Sequence, residues 1–315
     1  MSKLSKNLLK LSKDGSGACK TKSDRNKHLI KFCDFLRSNQ INIEHVTYIK
    51  ESHIKLYVKY RKNVDAVSVA TICNEMSSIR KVLREAGRFQ LVNNPNLTNK
   101  ALEINGRCRI GNKEPIPPEK LREFIDGAFK KDHGLAICML LSLQLGLRAE
   151  EAVQADKSIN TWLKAISRGD AKVRVIFGSK GVRPRDTTII NPSDLLHTVR
   201  FALQVANQRN GVLIDKSNLQ AAMEYFSNSL RKLGMTGKYA PHAMRYTFTD
   251  NILFMYESQG YSEKEAFAMA SCDLGHSEQR DRFIKSTYGK MRLADKMFSL
   301  SDIDLNIPIE LKPNL

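Results

Sequence analysis

The stretch HGLAICMLLSLQLGLR, residues 133–148, is the longest strongly apolar passage of this 315-residue chain. Its apolar residues are continuous and do not keep to one face, which predicts a helix that is buried on all sides. Gly146 is expected to end this helix, because glycine adopts the backbone conformation of a helix C-cap at little cost. The run is far too short to cross a bilayer, so it predicts the centre of a soluble core and no membrane partner.

The segments on either side of this helix predict a mixed domain. PPEKLREFIDGAFKK (117–131) begins with prolines that suit a first helical turn. The predicted strands are TWLKAIS (161–167), AKVRVIFG (171–178) and RDTTII (185–190), and the last two flank a hairpin turn. From Pro192 onward the pattern is helical again. The expected fold class is therefore mainly α with a small antiparallel β-sheet.

The first third of the chain predicts a small, basic, all-helical bundle. The helical stripes are SDRNKHLIKFCDFLRSNQ with Ser23 as N-cap, KESHIKLYVKYRKN, and DAVSVATICNEMSSIRKVLREAGRF, which Gly87 ends. Three prolines in residues 105–118 disfavour regular structure and predict a linker. The predicted divisions are a flexible basic tail (1–22), a helical domain (23–104), the linker (105–118), a second domain (119–292) and a C-terminal segment (293–315).

Charge is the clearest indication of a partner. The formal net charge is +18, and residues 1–113 hold 23 Lys and Arg against 9 Asp and Glu. Such an excess predicts a polyanionic partner, although a bundle with merely solvated lysines is the alternative. The N-terminal MSKLSKNLLKLSK lacks a continuous signal-peptide core, so a non-exported protein is expected. Six cysteines without metal-ligand spacing predict reduced thiols, with neither a disulfide framework nor a zinc site.

One motif places two reactive side chains together. PHAMRYTFTDNIL (241–253) has His242 and Arg245 three positions apart, so that both project to one side of a helix. Alone, this pair is more typical of a surface histidine beside an arginine. Further reactive residues accompany it: Arg148 in LGLRAEEAV with Glu151 three positions on, Lys180 in GSKG, His276 in LGHS, and Tyr288 in IKSTYGK.

This ordered set, Arg, Lys, His-x-x-Arg, His and Tyr, resembles the tyrosine recombinases, also called the phage integrase family, over nearly the whole chain. LSLQLGLRAEEAV is similar to the first arginine box, GSKGVRPRDTTI to the β-hairpin lysine, PHAMRYTFTDNIL to the HxxR box, and LGHS with Tyr288 to the final histidine and nucleophile. Four segments in order are far more specific than any one alone. The resemblance implies that residues 23–104 form a DNA core-binding domain and that 119–292 form the catalytic domain.

The resemblance also implies roles for the reactive residues. Arg148 and Arg245 would hold the charge that develops on a DNA phosphodiester under attack. A phenol is mostly protonated at neutral pH, so Tyr288 as nucleophile needs a base, for which His242 is the candidate. The remaining roles are Lys180 as general acid for the leaving 5′-oxygen, His276 as a phosphate hydrogen-bond donor and Glu151 as a supporting residue. No metal or other cofactor is implied.

The implied product is a 3′-phosphotyrosyl linkage that a hydroxyl can reverse without ATP. The implied partners are double-stranded DNA with specific recombination sites, a homo-tetramer on that DNA, and DNA-bending accessory proteins, in the cytoplasm and at the nucleoid of a bacterial host. Candidate DNA-binding side chains are Lys27, Lys31, Lys55, Lys59, Arg80, Lys81, Arg84, Arg183 and Arg185.

Several alternatives stay open from the sequence. His276 and Tyr288 are twelve positions apart, further than is usual in the family, and Arg280 and Arg282 between them are either phosphate contacts or solvated surface. Residues 293–315 either pass to a neighbouring subunit or pack on their own domain. A mobile-element integrase is favoured over a Xer-like chromosome-dimer resolvase, a type IB topoisomerase and a non-catalytic DNA-binding protein on the same fold.

Overall fold

The computed structural model describes residues 1–16, 19–106, 111, 113–179, 181 and 183–289. The chain forms two compact units, residues 1–108 and 109–315. The architecture is mainly helical with one two-stranded antiparallel sheet, which confirms the expected fold class. In the part of the chain that the structure describes, no helix is both long and apolar enough to span a membrane.

The first unit is a bundle of helices around one apolar core. Its helices are α1 (Lys3–Asp14), α2 (Cys19–Ser38), α3 (Glu51–Asn63), α4 (Val69–Glu85) and the single turn α5 (Phe89–Val92). The start of α4 is fixed by Ser68, whose side chain accepts a hydrogen bond from the Thr71 backbone N–H, and Gly87 follows its end with φ 71°. The predicted bundle is therefore present.

The prediction that residues 1–22 stay flexible is wrong for most of that segment. Helix α1 places Leu4 and Leu8 in the core at 2 % exposure each, and the Asn7 side-chain oxygen accepts the Val46 N–H at 3.1 Å. Burying a leucine side chain contributes about 1.5–3 kcal/mol, which favours order over a mobile tail. Helix α2 also begins before Ser23, which consequently is not its N-cap.

A buried ion cluster connects helices α2, α3 and α4 of the first unit. Glu75, 0 % exposed, accepts hydrogen bonds from Tyr57 Oη at 2.9 Å and from Arg61 Nε at 2.9 Å and Nη2 at 2.7 Å. Arg61 Nη1 also pairs with Asp65, and Lys31 Nζ lies 3.8 Å from Glu75 Oε1. Two cations thus face two carboxylates, and the cluster is electrically balanced.

The second unit is built around the apolar helix predicted first. Its helices are α6 (Pro118–Lys131), α7 (His133–Leu145), α8 (Ala149–Val153), α9 (Ile159–Ser167), α10 (Pro192–Asn207), α11 (Leu219–Lys232), α12 (Ala243–Ser258), α13 (Glu263–Asp273) and α14 (Asp281–Tyr288). Helix α7 is buried nearly throughout and contacts α6, α10 and α12. The Asp132 side chain caps it by accepting the Leu135 N–H, and Gly146 ends it with φ 57°.

The hairpin is present, but one of the three predicted strands is not. Strands β1 (Lys172–Val175) and β2 (Arg185–Thr188) pair antiparallel. The third segment, TWLKAIS, lies in helix α9, so that prediction is wrong. Trp162, Ala165 and Ile166 share the buried face of α9, and Trp162 Nε1 donates to the Arg174 carbonyl at 2.8 Å. The prediction gave more weight to the β-branched residues of this short segment than to the helical spacing of its apolar residues.

Candidate active site

The candidate site forms where helices α7 and α13 end. A helix leaves its last carbonyl groups without partners inside the helix, and its C-terminus carries partial negative charge. Three arginines, Arg148, Arg185 and Arg245, donate hydrogen bonds to carbonyls at these two ends. The cations are therefore drawn together by backbone groups of two elements that are far apart in sequence.

Arg245 lies at the centre of this cluster. It is 1 % exposed, its Nη1 donates to the Gly146 carbonyl, and its Nη2 donates to the Leu274 carbonyl at 2.9 Å. Its Nε has no hydrogen-bond partner among the described residues. Burial lowers the pKa of Arg245 to about 10, so the guanidinium stays charged at neutral pH.

Arg148 is the arginine with access to solvent, because its side chain is 24 % exposed. Its Nη2 donates to the same Leu274 carbonyl at 3.0 Å, and its Nη1 donates to Glu151 Oε1 at 2.6 Å. The Arg148 backbone N–H also donates to Glu151 Oε2 at 2.8 Å, which fixes the start of helix α8. Arg148 and Arg245 consequently share one acceptor and lie side by side.

Glu151 is the carboxylate of this cluster, and its side chain is 0 % exposed. Burial acts to raise its pKa, but the charge and hydrogen bond of Arg185 outweigh burial and lower it, so Glu151 is anionic at neutral pH. Asp273 is also buried, and Lys172 Nζ lies 3.9 Å from its Oδ1. Four cations thus meet two carboxylates, and the cluster carries a surplus of two positive charges.

Tyr288 and His242 meet beside the arginines. Tyr288 Oη lies 3.4 Å from His242 Nε2, a long hydrogen bond of the kind that often shortens when a substrate is bound. Burial lowers the pKa of His242 to about 4, and the charges of Arg245, Arg148 and Lys113 act in the same direction. The imidazole is therefore neutral at pH 7 and able to accept a proton.

Tyr246 is a neighbour of Tyr288 that the sequence analysis missed. The ring centroids of Tyr246 and Tyr288 are 4.4 Å apart, and Tyr246 is 3 % exposed. Burial raises the pKa of Tyr246 to about 12, so it stays protonated. Its position directly after Arg245 in the HxxR segment was the available signal.

His276 lies two residues after Leu274, whose carbonyl accepts hydrogen bonds from Arg148 and Arg245. Its backbone N–H donates to the Ser271 carbonyl at 2.9 Å, and its ring centroid lies 5.5 Å from that of Phe283. The preceding Gly275 is packed closely, since a Cβ there would lie 2.8 Å from Arg185 Cδ and 3.6 Å from Arg148 Nη1. Arg280 and Arg282 lie on the exposed surface, and the Arg280 guanidinium is 5.7 Å from the Phe283 ring.

Lys180 lies outside the described residues, as does the C-terminal segment 293–315. Arg185 is described, and its predicted role as a DNA contact is wrong for its position: it is 5 % exposed and its terminal nitrogens are on protein acceptors. Its neighbour Arg183 is exposed, and its role as a DNA contact stays a prediction.

The predicted DNA contacts of the first unit differ in availability. Lys27, Lys31, Lys55, Lys59 and Arg84 are exposed, whereas Arg80 and Lys81 are partly buried. Arg80 is the least available, because its Nη2 donates to the Leu97 carbonyl at 2.7 Å.

Arg25 and His28, which were not predicted from sequence, line a concave surface of the first unit together with Lys81 and Arg84. Arg25 is 7 % exposed, and its guanidinium donates to the carbonyls of Ser12 and Ser16, so it is no more available than Arg80.

In the described ranges, no group of three or more His, Cys, Asp or Glu is arranged to hold a metal ion. In the same ranges, Cys33, Cys73, Cys138 and Cys272 are not joined in disulfides.

The chain is similar to known integrases and recombinases. A family model described as "Phage integrase, N-terminal" matches residues 1–92, and one described as "Integrase" matches residues 103–251. Among curated proteins, none matches the chain by sequence.

Solved recombinase structures share the fold. XerH site-specific recombinase bound to difH substrate in a pre-cleavage complex has a TM-score of 0.52 at 12 % identity, covering 90 % of this chain and 92 % of that one. The post-cleavage complex of XerH with palindromic difH gives 0.51 at 14 % identity, covering 84 % and 75 %. The Tn1549 transposon integrase in complex with transposon right end DNA gives 0.50 at 16 % identity, covering 88 % and 94 %. With both integrase models matched in order along one chain of this fold, the protein belongs to the tyrosine recombinase, or phage integrase, family.

Proposed function

We propose that this protein is a site-specific recombinase that cleaves and rejoins DNA through a covalent 3′-phosphotyrosyl intermediate. The observation that carries the proposal is the position of Tyr288 Oη, 3.4 Å from a neutral His242 and next to a buried cluster with surplus positive charge. A nucleophile, a proton acceptor and an unsatisfied cationic site are the parts that attack on a phosphodiester requires.

The chemical step uses these groups as follows. Tyr288 Oη bonds to the phosphorus while its proton passes to His242 Nε2, and the bond from phosphorus to the 5′-oxygen breaks. The departing oxygen takes a proton from Lys180, so that a free 5′-hydroxyl and a phosphotyrosine result. His276 donates a hydrogen bond to the phosphate.

Arg148 and Arg245 stabilise the transition state. As the tyrosine attacks, negative charge grows on the two non-bridging oxygens, and guanidinium forks match that geometry with charge-assisted hydrogen bonds. The surplus of two charges in the cluster equals the charge that the phosphate reaches at that point. Since the cluster is already assembled by helix-end carbonyls, little reorganisation is needed during the reaction.

The phosphotyrosine keeps the energy of the broken bond, so a 5′-hydroxyl of another strand can attack it and restore a phosphodiester without ATP. Exchange of strands between two duplexes would follow on a tetramer of this chain. DNA as the partner is supported by the solved neighbours, which are a recombinase and a transposon integrase bound to DNA. We favour integration or excision of a mobile element, with a Xer-like resolvase as the alternative.

Trapping of the covalent intermediate tests the proposal. The protein is mixed with a pool of nicked duplexes of varied sequence, and adducts that survive denaturation are isolated and sequenced. We expect an adduct on a defined sequence with the wild type, none with Tyr288→Phe, and an unchanged amount with Tyr261→Phe, an exposed tyrosine that serves as the control.

Two results would contradict it. An adduct that persists in Tyr288→Phe would remove Tyr288 as the nucleophile. Specific DNA binding by the wild type without any adduct would instead indicate a non-catalytic DNA-binding protein on this fold.

A further inference from the structure

We propose that Arg185 is a positioning residue of the recombinase site, which sets the spacing of the Arg148 and Arg245 guanidiniums by joining the ends of helices α7 and α13. This inference rests on the proposed function and deepens it. It gives a role to a buried arginine that never reaches the DNA.

The contacts of one guanidinium span three parts of the fold. Arg185 Nη2 donates to the carbonyls of Leu145 at 3.2 Å and Gly146 at 3.1 Å, and to Glu151 Oε2 at 3.0 Å. Its Nη1 donates to the Asp273 carbonyl. The end of α7, the start of α8 and the end of α13 are thus tied to a single side chain.

Each of these acceptors also accepts a hydrogen bond from Arg148 or Arg245, or is next in sequence to a residue that does. Glu151 accepts from Arg148, the Gly146 carbonyl accepts from Arg245, and Asp273 directly precedes Leu274, whose carbonyl accepts from both. A shift of Arg185 therefore moves acceptors of both anion-binding arginines. A planar guanidinium holds these acceptors in a fixed geometry, which a lysine ammonium cannot reproduce.

Arg185 acts through these partners rather than on the phosphate. Its side chain is 3 % exposed, and both terminal nitrogens are occupied by protein oxygens. It is also the first residue of β2, and the same strand is tied to α13 by Thr188, whose N–H and hydroxyl both donate to Asp273 Oδ1 at 2.9 Å. Strand β2 is consequently anchored to the arginine cluster at its first residue.

The test is a double-mutant cycle on the chemical step. Adduct formation is measured in a single turnover at saturating nicked DNA for Arg185→Lys, Arg148→Lys and the double variant, together with the Kd for the same DNA. We expect Arg185→Lys to slow the step about 10²-fold, the scale of a misplacement near 1 Å, with Kd changed less than about threefold. Because Arg185 acts through Arg148 and Arg245, the double variant should be much less impaired than the product of the two single losses.

The control is Arg61→Lys, which disturbs an arginine of equal exposure, 5 %, in the first unit and should leave this rate unchanged. Arg185→Gln, which removes the charge, is the second variant if Arg185→Lys folds poorly, and folding of each is checked by circular dichroism.

A folded Arg185 variant with the wild-type rate would overturn the inference. So would a double variant whose loss of rate equals the product of the two single losses. Absence of any wild-type adduct would defeat the proposed function instead, so the two failures are distinct.

Discussion

Each unit of the protein buries a glutamate beside cationic side chains, and the two clusters differ in their charge balance. Glu75 of the first unit meets Arg61 and Lys31 with Asp65 as a second carboxylate, so charges cancel. Glu151 of the second unit meets three arginines. Hydrogen bonds with Glu75 raise the pKa of Arg61, whereas burial lowers that of Arg245 to about 10.

The difference separates a structural ion cluster from a binding site. A balanced buried cluster is complete in the folded protein, and removing one member leaves a charge unpaired. A cluster with surplus charge is costly to bury and is relieved by an anion from outside. The charge balance of the buried groups, rather than their burial alone, is what supports the proposal that the second unit's cluster binds an anion.

The largest expected effect is a loss of stability when the balanced cluster around Glu75 is disrupted. Glu75→Gln leaves Arg61 without its main partner and should lower the free energy of unfolding by about 3–5 kcal/mol. Urea unfolding followed by circular dichroism measures this loss. Trp162, the single tryptophan, lies in the second unit, so its fluorescence transition should stay in place. A change below about 1 kcal/mol would mean that Glu75 is not a required partner.

The second prediction concerns an added anion. Inorganic sulfate should stabilise the second unit, by about 2.7 kcal/mol at a concentration one hundred times its Kd, because it binds only the folded cluster. Trp162 fluorescence during urea unfolding, against sodium chloride of equal ionic strength, measures the gain. Arg245→Gln should abolish it, while Arg231→Gln, at an exposed arginine, should retain it. Equal stabilisation in both variants would indicate a general salt effect.

The smallest expected effect is a difference between the pKa values of two histidines, His28 and His242. Burial lowers the pKa of both, but nearby Glu75 opposes the shift at His28, whereas the charges that act on the pKa of His242 are all cationic. His242 should therefore titrate at a lower pH than His28 in an NMR titration, and sulfate should raise the pKa of His242 alone. His242 binds a proton more readily when unfolded, so its contribution to stability is complete above pH 6.5 and is lost as the pH falls toward 4. The reverse order of titration would argue against a cationic surplus at Tyr288.

Much of the fold followed from local pattern in the sequence. The continuous apolar run of α7, Gly146 at its end and the β-branched pair of strands each act over a few neighbouring residues, so periodicity and turn chemistry were sufficient. Residues 3–14 and TWLKAIS were mistaken because their helical stripes are short. Lysine-rich composition in the first and β-branching in the second outweighed the pattern.

The candidate site was less predictable, for a tertiary reason. Arg148, His242, Arg245 and Tyr288 were proposed from the order of motifs, and the structure brings them together. Nothing local distinguishes buried Arg185 from exposed Arg183, since the two differ only in which acceptors the folded chain places around them. Charge balance is likewise a property of the assembled cluster.

Gly146 has no side chain, yet its backbone conformation and its carbonyl position are both needed to place the arginines. Its φ of 57° is rarely adopted by other residues, and a Cβ there would lie 2.4 Å from Phe248 Cδ1. Its carbonyl is the oxygen that Arg185 and Arg245 share. An alanine would have to turn that oxygen or displace the aromatic ring, so the placement of two arginines of the proposed catalytic centre depends on a position that has no side chain of its own.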